Sequence, residues 1–137
     1  MSGPTPDAVP GRLLLDTHVF MWWAEGDLAR IAGPARAAIA AAPAVFVSLA
    51  TAWELTIKTA LAKSRLGVSF TYALDVNRFV ALPITLDHVD AVAALPSPGR
   101  HRDPFDRMLI AQAVHERLTL VTHDSAFRDY RVPVLWA

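Results

Sequence analysis

Asp-Pro-Phe-Asp-Arg-Met-Leu-Ile-Ala-Gln-Ala-Val-His-Glu-Arg at 103–117 runs without a break into Leu-Thr-Leu-Val-Thr-His-Asp at 118–124. The first part reads as a helix. Asp103 is an N-cap, and Pro104 takes the first helical position, where its missing N–H costs nothing. The second part is a short run of leucine and β-branched residues that closes on an acid, Asp124. A helix feeding directly into an apolar strand is half of a crossover unit, so this stretch points to a parallel sheet.

The alternation extends along the whole chain. Strands are expected at 13–15, 45–47, 81–85, 118–122 and 132–136, with helices at 18–25, 34–41, 52–66, 71–79, 87–94 and 104–117. The apolar runs are continuous rather than alternating, as in strands covered on both faces. The expectation is one α/β domain over residues 13–137, with a mostly parallel sheet flanked by helices. Residues 1–12, with their Pro, Gly and Ser, are expected to form a flexible tail.

Composition bounds the function. At 137 residues the chain is one domain's length, since domains run to roughly 100–200 residues. The absence of cysteine excludes disulfides, thiolate metal sites and thiol nucleophiles, and fits a reducing cytosol. Charged residues are 19% and hydrophobic ones 53%, which excludes a disordered or coiled-coil chain. Lys+Arg and Asp+Glu stand at 13 each, which argues against binding nucleic acid by broad phosphate neutralisation. Residues 1–12 lack the apolar core of a signal peptide. The uncharged stretch 37–53 falls short of the roughly 20 residues of a membrane span, so a soluble, cytoplasmic protein is expected. The mean hydropathy of +0.31 suggests surface covered by a partner.

Four acids stand at element boundaries: Asp16 after the first strand, Glu54 in the first turn of the helix after the second, Asp106 in the first turn after Asp103, and Asp124 after the fourth strand. Each has a local explanation. Thr51-x-x-Glu54 is a capping-box pattern, and Asp103-x-x-Asp106 is a shorter relative of it. Asp16 and Asp124 are each placed to cap the next element of the chain. A joint explanation competes. In a parallel sheet the strand C-termini share one edge, so Asp16, Glu54 and Asp124 gather there, with Asp106 less firmly placed. Carboxylates brought that close repel unless a cation offsets them. Oxygen-only donors favour a hard ion, Mg²⁺ or Mn²⁺, and such sites activate water for phosphoryl or phosphodiester hydrolysis.

On the helix carrying Glu54, rotation puts Trp53, Ile57 and Ala60 on one side and Leu55, Ala62 and Leu66 nearly opposite. Thr51, Glu54, Lys58 and Arg65 form a polar strip between them. That strip is either solvated, with a Glu54–Lys58 pair, or faces a phosphate path. Arg100-His101-Arg102 is the one dense basic cluster in the sequence, and is either a solvated loop or a phosphate contact. His18 and His123 adjoin the acids but are expected to point elsewhere. Trp22 and Trp23, with Phe20 and Met21, are expected mostly in the core.

Together, Leu-Leu-Asp-Thr-His-Val at 14–19, Ser-x-x-Thr-x-Trp-Glu-Leu at 48–55, His-Arg-Asp-Pro-Phe-Asp-Arg-Met-Leu-Ile-Ala-Gln-Ala at 101–113 and Leu-Thr-Leu-Val-Thr-His-Asp at 118–124 resemble, in order, the PIN domain ribonucleases that serve as toxins of bacterial type II toxin–antitoxin pairs (VapC-like). The resemblance implies a five-stranded parallel sheet and an Mg²⁺- or Mn²⁺-dependent endoribonuclease. It implies catalytic roles for Asp16, Glu54, Asp106 and Asp124, with Asp16, Asp106 and Asp124 as metal ligands and Glu54 positioning or deprotonating the attacking water. Asp106 is preferred to Asp103 as ligand because the N-cap position already explains Asp103. Asp103, Thr17 and Thr122 fall where they would support the ligands or the waters of the ion. Lys58, Arg65, Arg100 and Arg102 are the candidate RNA phosphate contacts. The implied partners are RNA, a cognate antitoxin protein and a second copy in a homodimer. A haloacid-dehalogenase-like phosphatase would need a second aspartate where His18 stands, and a receiver domain would need an acidic pair and a late lysine that are absent. A non-catalytic PIN-like module is the remaining alternative.

Overall fold

A computed structural model of the chain describes residues 11–60, 69–96 and 102–137. The tail expected at 1–12 lies outside them except for its last two residues, as do Arg65 and Arg100. Gly11 sits at φ +79°, and a Cβ there would meet Pro43 Cδ at 2.9 Å, so only glycine fits this entry to the sheet.

Five strands, β1 (Arg12–Leu15), β2 (Ala44–Ser48), β3 (Val80–Leu82), β4 (Thr119–Thr122) and β5 (Val134–Trp136), form one sheet in the order β3-β2-β1-β4-β5. Every pairing is parallel, with Leu14 opposite Phe46 and Leu120, and Leu120 opposite Val134. The helices are α1 (Thr17–Ala24), α2 (Gly33–Ala41), α3 (Leu49–Ala60), α4 (Phe70–Asn77), α5 (Leu86–Ala93) and α6 (Pro104–Glu116), with 3-10 turns at Leu28–Arg30 and Ser125–Asp129.

Strand alternation divides the core into two. Leu13, Leu15, Val45, Val47 and Val121 pack with Val19, Phe20, Ile39 and Leu74 on one face. Leu14 and Leu120 pack with Leu109, Ile110, Ala113 and Phe127 on the other. Burying each such side chain contributes about 1.5–3 kcal/mol, so the central strand β1, covered on both faces, is firmly held.

Most boundaries follow the sequence signals. Asp103 caps α6, accepting from the Asp106 N–H at 2.9 Å. Three expectations change. The third strand stops at Leu82, because Pro83 has no N–H to continue the ladder and Thr85 instead caps α5. The fifth begins at Val134, after Pro133. The helix expected from residue 52 starts at Leu49, immediately after β2, where the Ser48 hydroxyl accepts from the Ala50 N–H at 2.9 Å.

The strand order places the site. From β1 the chain moves outward through β2 to β3, and from β4 it moves the other way to β5. The C-terminal edge between β1 and β4 is therefore the switch point of the sheet, where α/β folds open a crevice. Asp16 and Asp124 follow these two strands.

Candidate active site

Asp16 leaves β1 with its N–H still bonded to Val121 O at 2.9 Å. Its Oδ1 accepts from the Val19 N–H at 2.9 Å, capping α1, and its Oδ2 accepts from the Thr122 hydroxyl. The residue is only 4% exposed. Burial pushes its pKa above the usual range; the Thr122 and Val19 donors and nearby His18 pull it back, and Asp124 adds to the rise.

Thr122 has a second task. Its Oγ1 accepts from the Asp124 N–H at 3.1 Å, and the Asp124 Oδ1 accepts from the Ala126 N–H at 2.9 Å, opening the 3-10 turn. Asp16 and Asp124 therefore both cap the elements that follow them and also meet across one threonine. The two explanations of these acids coexist.

Glu54 is 8% exposed and lies in the second turn of α3. Because α3 starts three residues before the expected position, the Thr51-x-x-Glu54 capping box does not form. Glu54 instead takes a hydrogen bond from the Thr17 hydroxyl at 2.6 Å on Oε1, while Lys58 Nζ stands 3.1 Å from Oε2. Thr51, itself buried, lies 3.3 Å from the Thr17 hydroxyl. Thr51, Glu54 and Lys58 thus turn inward toward α1, whereas Trp53 is 61% exposed.

Topology brings Asp106 to the same edge, since α6 runs back from the strand C-termini to the start of β4. Phe105 packs edge-on against Trp53, with ring centroids 5.1 Å apart, tying the first turn of α6 to α3. Asp106 is half-buried, and Asp103 is exposed at the cap. Arg107 donates to Pro96 O at 3.1 Å and to the Tyr130 hydroxyl at 3.0 Å, which fixes the start of α6 against the turn after β4. Arg102 is exposed and borders an apolar groove with Trp53, Val89, Phe105 and Met108.

A cavity of about 450 Å³ opens at the switch point, lined by Asp16, His18, Trp22, His123, Asp124 and Ser125. Asp106 and Glu54 do not line it. Sequence reasoning turned His18 and His123 away from the acids and put Trp22 in the core, yet all three rings border this cavity. The available signals were the four-residue spacing of His18 and Trp22 on α1, and the adjacency of His123 to Asp124.

The donor set fits a hard divalent cation. The lining carboxylates offer oxygen only, and the buried charge of Asp16, its pKa raised by desolvation and by Asp124, is a charge that a cation would offset. Among the described residues, the three metal-ligating side chains whose donor atoms lie within 4.8 Å of one another are His88, His115 and Glu116. They lie elsewhere: Glu116 O accepts from Arg12 Nη1 at 3.2 Å, at the opposite edge of the sheet.

The comparisons agree with this architecture. The model of the PIN domain matches residues 13–133. Ribonuclease VapC22 of Mycobacterium tuberculosis is 30% identical over 125 residues, covering 88% of this chain and 93% of that protein. Among solved structures, VapBC from Salmonella typhimurium bound to DNA superposes with a TM-score of 0.67 at 18% identity, covering 91% of this chain and 97% of that one. VapBC2 from Rickettsia felis, bound to a DNA fragment from its promoter, gives 0.64 at 16% identity, covering 90% and 97%. The family match spans both strands that carry the paired acids and the helices between them, and the chain belongs to the PIN domain family.

Proposed function

We propose that this protein is a metal-dependent endoribonuclease that acts in the cytoplasm as the toxin of a toxin–antitoxin pair and is neutralised by a cognate antitoxin protein. The observation that carries the proposal is the convergence of Asp16 and Asp124 on Thr122 at the mouth of the switch-point cavity. The likeness to Ribonuclease VapC22 over most of both chains, and to VapBC assemblies in fold, supports it.

In this reading Asp16 and Asp106 hold Mg²⁺ or Mn²⁺ directly, and Asp124 completes the site. When bound, the ion polarises a phosphoryl oxygen and lowers the pKa of the attacking water. The chain's own residues do the rest. Thr122 fixes the Asp16 carboxylate, and Thr17 and Lys58 fix Glu54. So oriented, Glu54 positions the water and takes its proton. Arg102 meets an RNA phosphate, and Asp103 supports the waters of the ion. The apolar groove bordered by Trp53, Ile84, Val89, Phe105 and Met108 supports a protein-covered surface, with room for a homodimer face or an antitoxin segment.

The test is RNA cleavage by the purified protein with Mg²⁺ or Mn²⁺, with and without chelator. Asp16→Ala is expected to lose metal-dependent cleavage while keeping a cooperative unfolding transition. Undiminished cleavage by that variant overturns the assignment. Calorimetry with Mn²⁺ tests the non-catalytic alternative, which predicts no binding.

A further inference from the structure

The cavity that holds the paired acids has a second wall, made of rings. Trp22 lies between two imidazoles: its ring centroid is 6.1 Å from that of His18 and 5.6 Å from that of His123, the latter at 75°. The indole is anchored from below, packed against the core cluster of Val19, Phe20 and Leu15. The imidazoles are exposed. His123 is also fixed in rotation, because Nδ1 lies 3.1 Å from Ala137 O. That main-chain oxygen only accepts, so Nδ1 carries the proton in that bond.

The composition of the lining matters as much as its shape. Among the described residues of the lining, two are carboxylic acids and none is Lys or Arg, so these residues offer a substrate phosphate no lysine or arginine charge. An anion alone would be repelled. A flat, neutral ring would not be. Aromatic side chains hold unpaired bases by stacking, which is indifferent to the carboxylates beside them. At about 450 Å³ the space falls in the range of small-ligand sites.

We propose that Trp22 and His123, with His18, form a nucleobase-stacking wall that binds the unpaired base next to the scissile phosphate and so sets the position of cleavage. The proposal rests on the nuclease reading above and deepens it. Trp22 and His123 act as substrate-binding residues, separate from the acids that carry the chemistry.

The test uses the full chain and a short single-stranded RNA with one preferred cleavage position. Trp22→Leu keeps apolar bulk over the core, and His123→Leu removes the second ring; circular dichroism melts establish that both fold. Each variant is expected to raise KM by about 5- to 140-fold, the range that corresponds to the loss of one stacked base, with a smaller change in kcat. Replacing the base at the cleaved position by an abasic nucleotide is expected to weaken the wild type by a similar factor and Trp22→Leu hardly further. Adenosine 5′-monophosphate is expected to bind the metal-free wild type more tightly than ribose 5-phosphate, with tryptophan fluorescence quenching that Trp22→Leu abolishes. If the wild type cleaves RNA but both variants keep its KM, or the abasic substitution remains fully additive with Trp22→Leu, the stacking wall is overturned. If the wild type cleaves no RNA with any divalent metal, it is the nuclease reading that fails.

Discussion

Thr122 gives its hydroxyl proton to Asp16 across 106 residues of chain and takes the backbone N–H of Asp124 on the same oxygen. One side chain therefore orients one acid and positions the backbone of the other. Its own burial is complete.

Thr122→Val keeps the shape and removes the hydroxyl. Hydrogen bonds to charged groups contribute about 1.5–3 kcal/mol, and the variant is expected to lose stability in that range by urea denaturation. The metal concentration giving half-maximal cleavage should rise, because the Asp16 carboxylate is left without its donor. Thr122→Ser should recover most of both effects. A valine variant with wild-type metal dependence would show that Thr122 serves packing alone.

Asp16 gives a pH signature in the metal-free protein. Its folded pKa is raised by burial, so the folded chain binds this proton more tightly than the unfolded chain. Stability then falls as pH rises from the ordinary carboxylate range through the raised value, and stays lower above it. Asp16→Asn removes this dependence. In EDTA it is expected to be more stable than the wild type at neutral pH, with the difference closing as the solution is acidified. Added Mn²⁺ should stabilise the wild type and not the variant. Equal urea midpoints in EDTA at a pH of about 7.5, well above the ordinary carboxylate range, would contradict the desolvation argument.

Lys58 stands beside Glu54 rather than out in solvent, 3.1 Å from Oε2, with its side chain about a third exposed (32%). Lys58→Met leaves a nearly buried carboxylate without its cation, at an expected cost of about 1–3 kcal/mol once partial solvent screening is allowed for. If Lys58 acts by orienting Glu54, kcat should fall with KM nearly constant. A rise in KM with unchanged kcat would assign it to an RNA phosphate instead.

His88 is a different case. Its Nδ1 accepts from the Thr85 N–H at 3.1 Å, so the uncharged ring carries its proton on Nε2. That nitrogen is buried without a hydrogen bond, 3.7 Å from Glu116 Oε2. A metal bound at Nε2 would need the proton moved to Nδ1, where the Thr85 amide blocks it. Nitrogen-15 shifts are expected to report the Nε2–H form, unchanged by Zn²⁺. Zinc-dependent shifts at His88 would reopen this group as a metal site.

The parts of the fold that were legible in the sequence are those marked at both ends. Asp103-Pro104 and Asp124 bracket α6 and β4, and Asp16 closes β1. The start of α3 was not legible, because strand passes to helix with no intervening loop and the capping pattern at Thr51 imitates a start. Periodicity separated the faces of α3 but not which one is buried. The exposed Trp53 and the inward Glu54 are decided by Thr17 on a distant helix. The 3-10 turns are too short to leave a period. The ring of Trp22 meets His123 only through the pairing of β1 with β4, which no local pattern encodes.

That pairing also sets the order in which the site comes into being. Leu13 and Leu15 lie opposite Thr119 and Val121, one of the longest loop closures this chain can make, and non-local contacts of this kind tend to form late in folding. During synthesis Asp16 emerges before its Thr122 donor and Asp124, which leave the ribosome only after β2 and β3 have done so. A nascent or truncated chain lacking β4 therefore carries the first acid without a site around it. The two acids meet across Thr122 only when the central strand has a partner on both sides.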